Sequence, residues 1–270
     1  IGDYKRLSFS YILEGVFKLI LGILFTVLGF KINGIMGALL ATYFTSFLII
    51  YFSLKKENET SRPIKEIYAT LPYNFSSLLF LQLLGSIDLI LVRHFLTPLE
   101  TGYYTAISTL GRVIPYLSLT IGLVLLSKSV NNPNKKVLIK SIFLLLIISI
   151  PIIIIFLIFP ELVIKLSFGS EYLEASKYLG LFVITSTLYS LVIIMSYYYM
   201  GIENKLSILI TATFVLLQII LISLFHSSIL EIILIMLIIT STLFLTLFSL
   251  VFFKKSIPKK ENNKLYRPKK

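Results

Sequence analysis

Long apolar stretches separated by short polar segments dominate the pattern along the chain. Crossing the roughly 30 Å hydrocarbon core of a bilayer takes about 20 helical residues at about 1.5 Å each. Uncharged stretches of that length, each bounded by charged residues, are Ile32–Leu54, Ile67–Ile87, Ser141–Pro160, Tyr178–Ile202, Leu206–Leu230 and Ile232–Phe253. Each of these stretches is therefore predicted to be a transmembrane helix.

Two further stretches are long enough to cross a membrane but carry internal charges. Leu7–Phe30 contains Glu14 and Lys18, and Tyr103–Ser127 contains Arg112. The whole pattern predicts an all-α fold, a polytopic membrane helix bundle of about eight transmembrane helices. Short polar connections at Lys31–Asn33, Glu203–Lys205 and His226–Ser228 predict antiparallel neighbours.

Composition agrees with a membrane protein and excludes a water-soluble one. Of the 270 residues 57% are hydrophobic, above the roughly 45–50% of soluble domains. The net charge of +12 would suggest nucleic-acid binding in a soluble protein, but here 19 of the 25 basic residues fall on one predicted side of the membrane and four on the other. By the positive-inside rule both termini are cytoplasmic, and no nucleic acid is expected as a partner.

Polar segments divide the chain into four predicted regions. Residues 1–54 form two helices, 55–71 a cytoplasmic linker, 72–253 a six-helix lobe that begins at Pro72, and 254–270 a basic cytoplasmic tail. The largest external connection is the loop Glu161–Lys177, where Gly169 permits a turn. Because the chain begins at Ile1 and not at Met, we expect that an N-terminal part is missing.

No pattern in the sequence indicates covalent chemistry. The chain has no cysteine, and the short motifs typical of zinc proteases, serine hydrolases, P-loops and dinucleotide sites do not occur. The acidic residues do not cluster as metal ligands would. We therefore expect no enzyme activity, no metal and no cofactor, apart from H⁺ or Na⁺ as a coupling ion of unknown identity.

Arg112 is the most unusual residue of the predicted spans. It lies about nine residues, or roughly 14 Å, into its helix, where contact between a charge and lipid is costly. Polar residues that recur every three or four positions place it on one helix face, namely Thr101, Thr105, Ser108, Arg112, Tyr116 and Thr120. Pro115 is expected to kink this helix. Arg112 is interpreted as lining a cavity or as pairing with a neighbour.

Three further charges lie within predicted spans. Asp88 matches Arg112 in depth across a hairpin closed by the short loop Leu96–Gly102, so the two residues could form an ion pair or share one cavity wall. Glu14 and Lys18 are four residues apart in the favourable order, and they are interpreted either as a structural pair or as cavity residues. The three tyrosines Tyr197–Tyr199 are predicted to belong to an interfacial aromatic belt.

Three segments of the sequence resemble a known family. These are DLILVRHFLTPLETGYYTAISTL (Asp88–Leu110), FGSEYLEASKYLGLF (Phe168–Phe182) and INGIMGALLAT (Ile32–Thr42). They are similar to an Asp followed by a Gly-Tyr helix start, an external Gly-x-x-Tyr-x-x-Ala turn and a Gly-x-x-Gly-Ala helix start. All three occur in the polysaccharide and O-antigen flippases of the multidrug/oligosaccharidyl-lipid/polysaccharide exporter superfamily.

This resemblance implies a transporter with two six-helix lobes around a central cavity that works by alternating access. The first two helices would be the last pair of the N-terminal lobe, with about four helices missing before Ile1, and 72–253 would be the C-terminal lobe. By resemblance, Arg112 and Lys18 would meet the pyrophosphate of the substrate. Other cavity candidates are Asp88, Glu14, Tyr116 and Ser108.

The functional expectation is a flippase that moves a polyprenyl-diphosphate-linked oligosaccharide, such as an O-antigen, capsule or exopolysaccharide repeat unit, across the bacterial cytoplasmic membrane. Expected partners are membrane lipid, the lipid-linked sugar and other polysaccharide-assembly membrane proteins. Two alternatives stay open. One is a cation-coupled multidrug exporter in which Asp88 or Glu14 binds the ion, and the other is a membrane glycosyltransferase or polymerase that uses the same lipid carrier.

Overall fold

The computed structural model describes residues 4–54, 64–131 and 134–253. All regular secondary structure in these ranges is helical, which confirms the predicted all-α bundle. The chain divides into two compact units, Ile1–Ile64 and Lys65–Lys270. Most of the predicted linker and the predicted basic tail lie outside the described residues.

Unit 1 contains two paired helices, α1 (Tyr4–Val27) and α2 (Lys31–Leu54). They are joined by a turn at residues 28–30, in which Gly29 has a φ of +81°. The predicted turn at Lys31–Asn33 is wrong, because Lys31 already opens α2. Glycine at position 29 suits this turn since a left-handed conformation strains other residues.

Unit 2 contains the remaining elements. They are α3 (Ile64–Leu84), α4 (Ile87–Phe95), α5 (Pro98–Gly111), α6 (Val113–Asn131), α7 (Lys135–Ile158), α8 (Pro160–Phe168), a 3-10 helix (Ser170–Ala175), α9 (Ser176–Gly201), α10 (Lys205–Leu224) and α11 (Ile229–Phe253). Two consecutive pairs, α3 with α4 and α5 with α6, each form one long interrupted helix.

Six segments among the described residues are long and apolar enough to cross a membrane: Leu71–Phe95, Pro98–Val130, Lys135–Ile158, Ser170–Gly201, Lys205–Leu224 and Ile229–Val251. They account for all six predicted spans of the second lobe. In unit 1 the corresponding apolar segments are shorter, Gly15–Val27 and Asn33–Leu48. The count of eight spans and the orientation of the termini stay predictions.

Three predicted boundaries are wrong. Pro72 does not open a helix, because α3 begins at Ile64 and Pro72 lies inside it. The loop Leu96–Gly102 shrinks to Leu96 and Thr97, since Thr97 caps α5. Its Oγ1 accepts from the Glu100 N–H at 3.4 Å, and the Glu100 carboxylate accepts from the Thr97 N–H at 3.1 Å. This reciprocal capping box, with Pro98 at the first helical position, starts α5 five residues earlier than predicted.

The connection Glu161–Lys177, predicted to be an external loop, is also not irregular. It consists mainly of α8 and the 3-10 helix, which are separated by Gly169 with a φ of +92°. The turn expected at Gly169 is therefore confirmed, while the segments on either side are helical.

Helix α9 is the centre of unit 2 and contacts α5, α6, α7, α8 and α11. Three of its buried hydroxyl side chains bond to carbonyls of the same helix. Thr185 donates to the Leu181 carbonyl, Thr187 to Val183 and Ser190 to Ser186, at 2.8–3.0 Å. Hydroxyls bonded to their own helix can be buried at little cost. A central helix rich in small residues allows its neighbours to approach closely.

The three consecutive tyrosines of α9 lie in this core and not in an interfacial belt. Tyr197, Tyr198 and Tyr199 are between 2% and 6% exposed, so the belt prediction is wrong. The Tyr199 hydroxyl donates to the Leu247 carbonyl of α11 at 2.6 Å, and the Tyr73 hydroxyl of α3 donates to the Tyr199 carbonyl at 2.9 Å. Buried tyrosines with such partners lock neighbouring helices together.

Replacing Gly201 with alanine should destabilise unit 2. The added Cβ would lie 2.5 Å from the Ser129 Cβ and 3.2 Å from the Leu126 carbonyl oxygen, so α6 would have to move. Overpacking of this kind costs about 1–3 kcal/mol. Thermal unfolding in mild detergent measures the effect. Gly22→Ala in α1 is the control, since nothing lies within 4 Å of its Cβ position. Equal melting temperatures for the two variants would contradict the packing described.

Candidate functional site

The α3–α4 and α5–α6 hairpin is interrupted in both arms. The first arm breaks at Gly85 and Ser86 and the second at Arg112. Helix breaks within a membrane segment are tolerated where the freed backbone is buried in protein or lines a cavity. In this protein the two breaks bring together the two charges that the sequence placed at matching depths.

The break between α3 and α4 is supported from α9. The Ser86 N–H bonds to the Leu83 carbonyl at 3.1 Å in a tightened turn, and the Tyr189 hydroxyl donates to the Leu81 carbonyl at 2.8 Å. The ring and hydroxyl of Tyr189 occupy the space beside Gly85 that any Cβ would need. Tyr189 therefore both satisfies a backbone group and requires glycine at position 85.

The break between α5 and α6 has a cause in the sequence. Pro115 has no N–H for the Gly111 carbonyl four residues earlier, and its ring crowds that carbonyl. The structure confirms the expected interruption and places it at Arg112, which caps α5 with φ −72° and ψ −4°. The Tyr116 N–H then bonds to the Arg112 carbonyl at 3.2 Å, so α6 continues immediately.

Asp88 and Arg112 form an ion pair. Nη2 of Arg112 lies 3.1 Å from each carboxylate oxygen of Asp88. The Tyr104 hydroxyl donates to Asp88 Oδ2 at 2.7 Å and lies 3.0 Å from the sulfur of Met236. Asp88 and Tyr104 are completely buried. The ion pair offered for Asp88 is therefore present, and both residues also line the small cavity described below, as the second interpretation required.

Both charges lie at favourable helix ends. Asp88 is in the first turn of α4, and Arg112 is at the C-terminal end of α5. Helix termini carry partial charges that favour an anion at the N-terminus and a cation at the C-terminus. The paired breaks therefore stabilise this ion pair without help from water.

The ion pair with Asp88 uses only part of the hydrogen-bonding capacity of Arg112. Its side chain is 22% exposed, and Nη2 alone among its guanidinium nitrogens bonds to a described residue. Nη1 and Nε keep donors that a ligand could use, and a guanidinium offers such donors in a planar fork suited to phosphate. Asp88 and Tyr104 thus hold a cation whose other side faces outward.

A small internal cavity adjoins the ion pair. It has a volume of about 20 Å³ and its polar lining comes from Asp88, Arg112, Thr185, Ser186, Tyr189 and Thr240. A cavity of that size has room for about one water molecule. No sugar or diphosphate fits inside it, so a large ligand could reach Arg112 only from the exposed side.

A strip of polar residues lies on the exposed surface of α5 and α6. Thr105, Thr109, Tyr116 and Thr120 are exposed at spacings that match the position of Arg112, and Tyr116 is 66% exposed. Most other exposed residues of the spans are large and apolar, as in lipid-facing helices. The predicted polar face thus exists at Tyr116, which does not line the small cavity.

Ser108 does not belong to this exposed face. It is buried, and its hydroxyl donates to the Thr105 carbonyl of its own helix at 3.0 Å. It does not line the internal cavity. The structure thus separates Ser108 from Arg112 and Tyr116, although the helical periodicity grouped all three.

Lys18 belongs to unit 1, where it lies against an aromatic ring. Its Nζ is 4.7 Å from the ring centroid of Tyr43, a distance typical of a cation–π contact. The side chain of Glu14, the predicted partner of Lys18, lies outside the described part of the chain.

Sequence reasoning missed Tyr104, Tyr189 and Met236. Tyr104 touches Asp88 from 16 residues away and Met236 touches Tyr104 from 132 residues away. Contacts between residues so far apart along the chain cannot be predicted from local spacing. Among the described residues, no group of three or more His, Asp or Glu side chains is placed to hold a metal ion.

Comparison with known proteins gives one match. A family profile described as "polysaccharide biosynthesis protein" matches residues 2–177, which is more than half of the chain. The match covers unit 1 and, in unit 2, the interrupted hairpin with Asp88 and Arg112. The chain has no significant match among curated proteins or solved structures.

Proposed function

We propose that this chain, which belongs to the polysaccharide biosynthesis protein family, acts in a transporter that flips a polyprenyl-diphosphate-linked oligosaccharide across the bacterial cytoplasmic membrane by alternating access. The apolar spans make the chain a multi-pass membrane protein. The observation that carries the proposal is Arg112, a cation held at a helix break on a polar, exposed face. Family membership supports a role in polysaccharide biosynthesis, and the geometry suggests how a negatively charged substrate would be bound.

The diphosphate is the part of such a substrate that Arg112 would contact. A polyprenyl chain can stay in the bilayer, whereas a diphosphate and its sugars need polar surroundings. The internal cavity of about 20 Å³ is too small for them, so the headgroup would dock on the exposed face with Arg112, Tyr116 and Thr120.

The Asp88–Arg112 pair favours a flippase over a cation-coupled drug exporter. Asp88 accepts from both Arg112 and Tyr104 and is fully buried, so a coupling ion at Asp88 would have to displace the guanidinium. We propose a transporter and no bond-forming reaction. Any H⁺ or Na⁺ that drives transport would then bind elsewhere.

A vesicle assay tests this function. The full-length protein is reconstituted with a polyprenyl-diphosphate oligosaccharide whose sugar carries a fluorophore that a membrane-impermeant reductant bleaches. In protein-free vesicles the reductant cannot reach labelled headgroups of the inner leaflet, so their fluorescence is protected. Flipping moves these headgroups to the outer leaflet, so we expect the protected fluorescence to disappear when the protein is present. Protection equal to that of empty vesicles would contradict the proposal. Extension of the sugar chain would indicate a glycosyltransferase, and accumulation of drugs without headgroup movement would indicate an exporter.

A further inference from the structure

Helix α8 begins where a membrane span ends. α7 ends at Ile158, one residue, Phe159, forms the bend with φ −123° and ψ 46°, and α8 follows from Pro160. α7 is among the segments apolar enough to cross the membrane. α8 therefore lies at the level where the chain leaves the hydrocarbon core.

The sides of α8 differ in chemistry. Ile164 is completely buried against the rest of unit 2, whereas Leu162 and Leu166 are 56% and 79% exposed. At about 100° per residue, both leucines project roughly opposite to Ile164. The exposed leucines therefore form an apolar ridge that faces away from the protein.

The charges of α8 occupy one flank between these two apolar sides. Glu161 and Lys165 are exposed and lie about 60° and 100° around the helix from Ile164. A helix on top of the bundle would point its two leucines into water and its charges sideways. A helix at the side of the bundle points the leucines into lipid and the charges out of the membrane.

We infer that α8 lies in the plane of the membrane interface, with Leu162 and Leu166 inserted among lipid acyl chains and Glu161 and Lys165 facing water. Amphipathic helices that lie in the interface use this division of faces. The bilayer is the partner because α8 continues directly from a span whose last residues are already exposed and apolar, Ile154, Ile155 and Ile158. The inference does not depend on which substrate the protein moves.

The cysteine-free sequence allows a direct test. Leu166→Cys and Lys165→Cys, neighbouring exposed positions, each receive a nitroxide label in the full-length protein reconstituted into phosphatidylethanolamine and phosphatidylglycerol vesicles. Relaxation of the label by oxygen, which concentrates in lipid, is compared with its relaxation by a water-soluble nickel chelate. Leu209→Cys on α10, 64% exposed, gives the lipid reference, and Lys177→Cys gives the water reference.

We expect the label at 166 to shift toward the oxygen-dominated value of position 209, and the label at 165 toward the chelate-dominated value of position 177. Equal relaxation of 165 and 166 by the chelate would overturn the inference, because both sides of α8 would then face water. Shielding of the label at 166 from both reagents would also overturn it, because protein and not lipid would cover the ridge.

Discussion

Replacing Arg112 with glutamine should lower the rate of headgroup translocation by roughly 10- to 100-fold, because charge-assisted hydrogen bonds are worth about 1.5–3 kcal/mol and 1.4 kcal/mol is a factor of ten. Glutamine keeps a polar side chain at the helix break but cannot offer a charged, planar fork to a diphosphate. The vesicle assay with a labelled lipid-linked oligosaccharide measures the rate. Arg112→Lys should give an intermediate rate, since it keeps the charge and loses the fork.

The pairing of Arg112 with Asp88 complicates the single variant, because Asp88 would be left buried without its cation. The double variant Asp88→Asn/Arg112→Gln removes both charges and leaves two neutral amides that can bond to each other. We expect this variant to fold and still fail to translocate the headgroup. A double variant that transports at the wild-type rate would show that Arg112 is a structural residue only.

Asp88→Asn alone should lower the free energy of unfolding by about 3 kcal/mol. Removing one partner of a buried ion pair leaves the other charge uncompensated, at a cost of about 3–5 kcal/mol. We expect the lower end because the Arg112 side chain is 22% exposed and the amide can still accept from Tyr104. Equilibrium unfolding of the reconstituted or detergent-solubilised protein gives the value.

Two controls make this result specific to the site. Glu174→Gln breaks the ion pair with Lys177, in which both side chains are more than half exposed, and it should leave stability unchanged. Asp88→Asn/Arg112→Gln should recover much of the stability that Asp88→Asn loses. If Asp88→Asn were as stable as the wild type, the buried Asp88–Arg112 pair would not contribute to the stability of the fold.

The ion pair was predicted from the matching depths of two charges on neighbouring helices. With the turn at Leu96 and Thr97, Asp88 lies eight residues before the turn and Arg112 fifteen residues after it, so the predicted register was inexact although the pair forms. Pro115 likewise predicted the break between α5 and α6. The first arm gave no such signal, because its break at Gly85 depends on Tyr189, which comes from α9. Contacts that a third helix makes with the hairpin depend on how the helices pack and cannot be predicted from the local sequence pattern.

The wrong predictions have related causes. Tyr197–Tyr199 lie near a helix end, as belt residues do, but α9 is surrounded by other helices and buries them. The polar segment before α3 ends at Pro72, and proline is well tolerated at a helix start, so the helix was predicted to begin there although the backbone is helical from Ile64. The connection Glu161–Lys177 was predicted to be a loop because it has too few apolar residues to cross a membrane. These residues are nevertheless enough to form the short helix α8.

Labelling of Tyr116→Cys tests the central claim most directly, because that claim requires the face around Arg112 to meet a hydrated substrate path and not lipid. We predict that a charged, membrane-impermeant thiol reagent modifies Tyr116→Cys in vesicles and that the lipid-linked oligosaccharide slows this reaction. Leu209→Cys, equally exposed on α10, should not react. If Tyr116→Cys were as unreactive as Leu209→Cys, the polar face would be lipid-facing and the proposed headgroup path would be contradicted.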